Sequence, residues 1–321
     1  MKFASVMLIG LLTSFPHLCL AAQLLVLNKS DATLSFIDPV SGNTSANVAT
    51  GEGPHEVEVS SDGRLAFVSN YGAKNSGNTL SVVDIAAHKE LERVDLGELR
   101  RPHGLTFSKG YLYFTSEMSR RIARFNPDTH RVDWVFATDQ DGTHMVLASR
   151  DGTKLFTSNI ASNSVSIIER GANDKWSQKV VSVGAGPEGL DLSPDDRTLW
   201  SAHSRDGGIS IIDTATGRVI QTFDAKTKRS NRLKLTADGK LVLVSDLAAG
   251  ELAIFDAGER TERARLKLGS SPTGILVAPD GAQAYVAVSG ENRIAVIDLK
   301  TLSIAKTITA GNQPDGMAWV R

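Results

Sequence analysis

The chain has 321 residues, with 35 Lys and Arg set against 36 Asp and Glu and a single cysteine. A formal net charge of −1 provides no field to recruit nucleic acid or an anionic membrane surface. The lone thiol excludes a disulfide within the chain, and any metal must be held by His, Asp, Glu or Asn.

Residues 1–22 have the pattern of a secretory signal: Lys2, the apolar run Met7-Leu8-Ile9-Gly10-Leu11-Leu12, and the small pair Ala21-Ala22 as cleavage site. That run is too short to span a bilayer, and no later segment approaches one. Cys19 falls inside it behind Leu18, where a lipoprotein signal wants a small residue, so a soluble periplasmic or secreted protein is expected. The remainder, residues 23–321, is expected to form one domain and a monomer.

Seven starts recur along this remainder: Gly53-Pro54-His55, Arg101-Pro102-His103, Gly142-Thr143-His144, Gly186-Pro187-Glu188, Arg229-Ser230-Asn231, Ser271-Pro272-Thr273 and Gln313-Pro314-Asp315. They are 41 to 48 residues apart, the length that four short strands and their turns require in a propeller blade. Ser61-Asp62-Gly63-Arg64, Arg150-Asp151-Gly152-Thr153, Ala237-Asp238-Gly239-Lys240 and Pro279-Asp280-Gly281-Ala282 read as tight turns between the first two strands of a unit. A third strand ends at Asp84, Asp213, Asp256 or Asp298, and a fourth follows turns such as Ala215-Thr216-Gly217. No stretch carries a helical period. The seventh unit stops after one strand, and the three it lacks stand at 24–28, 33–38 and 47–50. The expected fold is therefore an all-β, seven-bladed β-propeller, closed by pairing the C-terminal strand with the three N-terminal ones, which removes two exposed edges.

Phe67-Val68-Ser69-Asn70, Phe156-Thr157-Ser158-Asn159 and Tyr285-Val286-Ala287-Val288, each followed by a Ser-Val-Ile-Asp-like strand, resemble the YVTN β-propeller repeat over the whole chain after the leader. The resemblance implies the fold and leaves the role open, since such propellers serve binding, structural and enzymatic ends. Blade two, from Arg101-Pro102-His103-Gly104 to Phe114-Thr115-Ser116-Glu117, also resembles the streptogramin (virginiamycin B) lyase repeat. That family uses His and Glu with magnesium at the propeller centre.

Four of the six histidines beyond the leader occupy one phase of the repeat: His55, His103, His144 and His203. Counted from the turn at Asp62-Gly63, residues 55 and 70 are equidistant and are expected to face each other across the hairpin. The same count pairs His103 with Glu117, His144 with Asn159, Glu188 with His203, Asn231 with Asp246, Thr273 with Val288 and Asp315 with Asn28. All should gather on one rim, the first of each pair nearest the channel. His55, His103, His144 and Glu188 are the expected metal ligands, for Zn, Cu, Mg or Ca, with Glu117, Asn70 and Asn159 behind them. Asn70, Asn159, Asn231, Asp246 and Asp315 are candidate contacts for a small polar ligand, although Asn at a strand end also bonds turn backbone with no ligand at all. His55, in phase with Val57 and Val59, can equally meet a neighbouring blade.

The loop Tyr71–Asn78 opens beside His55 and could cover the mouth. The basic cluster Lys226, Lys228, Arg229, Arg232 and Lys234 reads as a solvated loop and strand. No haem attachment motif, phosphate loop or dinucleotide fingerprint is present. The leading expectation is an exported binding protein with a His-rich channel mouth. The first alternative is a metal-dependent lyase or lactone hydrolase, in which His103, His144 or His203 moves the proton with Glu117 or Glu188 as its orienting group, His103, Glu117 and His203 being the leading set. The second is a scaffold docked to another exported protein.

Overall fold

A computed structural model describes residues 22–320; residues 1–21, which hold nearly all of the expected leader and Cys19, lie outside it, as does Arg321. The described chain forms seven sheets, each of four strands. The inner strands are Pro54–Val59, Pro102–Ser108, Thr143–Ala148, Pro187–Leu192, Ser230–Leu235, Pro272–Val277 and Pro314–Val320, defining blades one to seven. In blade seven Pro314–Val320 pairs antiparallel with Gln23–Asn28, with Leu24 opposite Trp319 and Asn28 opposite Pro314, so the ring closes as the repeat count expects. Among the described residues no helix is long and apolar enough to cross a membrane.

The middle strands bury alternate faces against their neighbours. Leu25, Leu27, Leu34 and Phe36 of blade seven pack with Val57, Ala66, Val68 and Val83 of blade one. Phe67, Leu80 and Val82 of blade one pack with Leu105, Phe114 and Phe125 of blade two, and Phe67 stacks on Phe107 at 5.6 Å. The outer strands alternate exposed and half-buried residues, as Arg131–Ala137 does. The inner turns follow the expected chemistry. Asp62 takes the Ser60 hydroxyl at 2.6 Å and the Arg64 amide at 3.1 Å, and Gly63 adopts φ 71°.

The register counted from that turn holds at Val57 opposite Val68 and then slips, leaving Pro54 opposite Asn70. His55 and Glu56 together oppose Ser69, a β-bulge that every inner strand repeats. A hydroxyl of the second strand fills the broken ladder. Thr115 Oγ1 accepts from Gly104 N at 2.9 Å and donates to His144 O of the next blade at 2.5 Å. Ser158 does the same for Met145 N and Glu188 O, and Ser245 for Arg232 N and Thr273 O. The backbone between neighbouring bulges is close. A Cβ on Gly274 would lie 2.2 Å from Asp315 O, so that position cannot carry a side chain.

Replacing Thr115 with Val keeps shape but leaves Gly104 N–H and His144 O buried without a partner. Thr115→Val should lower the unfolding free energy by about 1–3 kcal/mol in urea titrations, against less than about 0.5 kcal/mol for a change at an exposed residue such as Thr307→Val.

Candidate functional site

The bulge pushes one side chain per blade out of the strand's alternation and toward the channel. These are His55, His103, His144, Glu188, Asn231, Thr273 and Asp315, the first member of every expected pair. The pairs themselves are corrected by one residue. Pro54 faces Asn70, Pro102 faces Ser116, Thr143 faces Asn159, Pro187 faces His203, Ser230 faces Asp246, Pro272 faces Val288 and Pro314 faces Asn28. Equidistance from a turn assumes an unbroken ladder, and the extra residue of the bulge breaks it.

Three imidazoles stand in series. The ring centroids of His55 and His103 are 5.2 Å apart and those of His103 and His144 3.8 Å. His55 does not follow Val57 into the blade interface; its ring lies 4.5 Å from that of Tyr71. Its Nδ1 is 2.8 Å from Gly53 O, an acceptor, so Nδ1 carries the proton and Nε2 is a lone pair. Burial drops His55 to about 4, so the ring is neutral near pH 7. Burial, reinforced by His144 and His55, also holds His103 well below the ordinary imidazole range.

A hydrogen-bonded chain backs His144. Arg101 Nη1 donates to Tyr71 Oη at 2.8 Å, the Tyr71 hydroxyl donates to Glu117 Oε2, and His144 Nδ1 is 3.3 Å from Glu117 Oε1. Burial raises Glu117, but the His144 contact, then the Tyr71 hydroxyl and Arg101, outweigh it and hold the carboxyl below its usual value. Burial and the Glu117 bond push Tyr71 up to about 12, so its proton stays on. The loop that follows Tyr71 is thereby pinned to blade two, and Ser76 adds a bond to Met118 Sδ at 3.4 Å. Beside His55 a depression of about 540 Å³, lined by Lys29, Glu52, Gly53, Gly72 and Gln313, opens to solvent.

The expected site residues separate into two groups. Asn70 and Asn159 turn into their own blades, Asn70 donating to Thr79 and Ser81 and Asn159 to Ser164 and Ser166. Asp246 accepts the backbone amides of Lys228, Arg229 and Ala249. His203 is buried with Nδ1 3.0 Å from Asp206 Oδ1, and no ring contact joins it to the other three histidines. A catalytic trio of His103, Glu117 and His203 is therefore not assembled. Burial, opposed by Asp206, lowers His203. All four residues sit where the second strand ends, and the blade's own polar groups surround that position.

The expected metal set is not assembled either. Glu188 Oε1 takes the amide of Asn231 at 2.6 Å, and among the described residues no three His, Cys, Asp or Glu converge as ligands.

Arg232 corrects the reading of a solvated basic cluster. It is 6% exposed and reaches across the channel from blade five to Glu56 of blade one. Burial works against its charge, yet Glu56, Asp315 and Glu188 outweigh it and keep the guanidinium protonated. Lys29 pairs with Asp315 at 3.0 Å. Burial raises Asp315, but Lys29, Arg232 and His55 outweigh it, holding the carboxyl below its ordinary value. At the turn end of the channel Lys234 lies 3.5 Å from Asp191. There burial pushes Glu58 up to about 7 beside a cavity of about 510 Å³ lined by Lys234, Met317 and Trp319. The signal for Arg232 and Glu56 was present in the sequence, since both sit two residues after the blade start.

No family model matches the chain. Antigen Lp49 of Leptospira interrogans is 25% identical over 184 residues, 51% of this chain and 40% of that protein. The chain spans less than half the length of the curated relatives it matches. Kuenenia stuttgartiensis hydrazine synthase superposes with a TM-score of 0.77 at 19% identity, covering 88% of this chain and 93% of that one. The periplasmic gluconolactonase PpgL of Pseudomonas aeruginosa superposes with a TM-score of 0.75 at 20% identity, covering 94% and 99%. These structures share the propeller fold with this chain.

Because the native His55 ring refuses a proton that the unfolded chain accepts, stability is full above the ordinary value of 6.5 and is lost as pH falls toward about 4. The loss attributable to His55 should reach roughly 1–3 kcal/mol. His103 and His203 act in the same sense as His55 and Glu58 in the opposite sense between about 7 and 4.5, so the raw curve mixes all four. The measurement is the difference in urea unfolding between pH 7.5 and 4.5 for wild type and His55→Gln. A variant that keeps the full acid loss contradicts the assignment.

Proposed function

We propose that this is an exported β-propeller binding protein whose channel mouth takes a small polar ligand through His55, His103, His144, Asn231 and Asp315. One observation carries the proposal. His103 Nδ1, His144 Nε2, Asn231 Oδ1 and Asp315 Oδ1 are buried with no protein hydrogen-bond partner, and they come from four different blades at the same position of the repeat. Among the described residues four of the eight buried polar side-chain atoms without a partner fall on this one ring. Such atoms in native proteins are satisfied with few exceptions, so their grouping supports a polar occupant there.

Calorimetric titration with a panel of sugars, sugar acids and amines should give binding that the triple variant His55→Ala, His103→Ala, His144→Ala loses at least tenfold, with the circular dichroism spectrum unchanged. Equal affinity in the two proteins would remove the mouth from the reading. Elemental analysis of the same two proteins is expected to give equal metal content; more Zn or Cu in the wild type alone would restore metal ligation. Export predicts that the protein recovered from the extracytoplasmic fraction begins near residue 22 or 23.

A second reading is favoured by the chain Arg101–Tyr71–Glu117–His144. A histidine whose Nδ1 faces a carboxylate while Nε2 is free has the arrangement of a general base with its orienting group. A lactone hydrolase or lyase would use it to take a proton from water or substrate, without His203. If a lactone and cyclic-ester panel yields turnover, His144→Asn should lower kcat by about 10²–10⁴-fold. Inactivity of the wild type across the panel leaves binding as the function.

A further inference from the structure

The same mouth also indicates the chemistry of its ligand, an inference that rests on the binding reading above. The hydrogen-bond partners fix which atoms are left over. His55 gives its Nδ1 proton to Gly53 O, leaving Nε2 as an acceptor. His144 sets Nδ1 against the Glu117 carboxylate and leaves Nε2 without a protein partner. Asn231 commits its amide nitrogen to Glu188 and leaves Oδ1. Asp315 commits one oxygen to Lys29 and leaves Oδ1. His55 Nε2, Asn231 Oδ1 and Asp315 Oδ1 are thus acceptors, and the neutral His103 ring adds one N–H with no protein partner.

The charges agree with this. Lys29, Arg101 and Arg232 are the cations withdrawn from solvent there, and each is committed: Lys29 to Asp315, Arg232 to Glu56, and Arg101 to the Tyr71 hydroxyl that serves Glu117. Against them stand Glu56, Glu117, Glu188 and Asp315, of which Glu188 takes its hydrogen bond from a neutral amide and shares the Arg232 charge with Glu56 and Asp315. Four carboxylates thus stand beside three permanent cations. An anionic ligand would meet these carboxylates in a low-dielectric setting, with the His103 N–H as the buried donor left to receive it. A cation with several N–H groups would satisfy the free acceptors and balance the charge.

We propose that the channel mouth recognises a small organic ammonium ion, a primary amine or diamine, and discriminates against sugar acids and phosphorylated sugars. Its nitrogen is placed among His144 Nε2, Asn231 Oδ1 and Asp315 Oδ1, and the depression beside His55 admits the rest of the molecule.

The test is calorimetry at pH 7.5 and low salt with three probes: 1,4-diaminobutane, the anionic polyol gluconate and the neutral polyol sorbitol. Side-chain histidine resonances followed by NMR report whether binding occurs at the mouth. The expected result is binding of the diamine alone, perturbing His103 and His144, and weakened at least tenfold by Asn231→Leu and by Asp315→Asn. Two variants are used so that a folding failure in one leaves the other informative. Gluconate or sorbitol binding at these histidines, with the diamine silent, overturns the ammonium assignment while the mouth remains a ligand site. Diamine binding that neither variant weakens is surface adsorption and also overturns it. Silence of all three probes, with the histidine resonances unmoved, counts against the assignment and the binding reading together.

Discussion

The β-bulge near the start of every inner strand is the constraint on which the rest of this molecule depends. An antiparallel ladder run to its end would send residue 55 and its counterparts into the faces between blades, where the cores are apolar. One extra residue turns that side chain toward the axis and frees a backbone N–H and C=O that must be satisfied elsewhere. The hydroxyls of Thr115, Ser158 and Ser245 accept the first and donate to a carbonyl of the following blade. Each such hydroxyl thus repairs its own strand and fixes the backbone of the next blade's channel residue. Local geometry and ring closure are one problem with one solution.

Seven residues delivered to a narrow circle would repel or desolvate one another unless their charges were matched. The pairing of Arg232 with Glu56 runs across the axis between blades one and five, not between neighbours. It lies one residue further along the inner strands than His55 and Asn231. Two residues further again, Lys234, paired with Asp191, and Glu58 form a second charged level. Burial, not a charge partner, is the main reason His55 and His103 stay neutral. A neutral His103 ring can lie 3.8 Å from that of His144 where two imidazolium ions could not. The result is a pre-formed polar surface on which His103 Nδ1, Asn231 Oδ1 and Asp315 Oδ1 have no protein partner.

How legible this was differs from residue to residue. The repeat length, the Asp-Gly turns and the single orphan strand at the C-terminus specified seven blades and their closure, because each is a local signal multiplied along the chain. The seven channel residues were found by phase alone, since the phase is common to all blades whatever its exact register. The partner across each hairpin was missed by one, because a bulge leaves no mark on an alternating pattern when the extra residue is polar. Asn70 and Asn159 bond the hydroxyls of their own blades' third strands, which a reading of rim positions does not weigh. Tyr71 and Arg101 entered the site through side-chain reach between blades.

The sequence by itself determined the architecture and the ring of residues at its mouth, because strand period, turn chemistry and repeat spacing are properties of short segments. Only the tertiary structure decided which atoms of that ring are free. His144 meets Glu117, Asn231 meets Glu188, and Arg232 meets Glu56 across distances of 27, 43 and 176 residues. Hydrogen-bond and charge partners at such separations are set by the closure of the ring, and no local pattern encodes them.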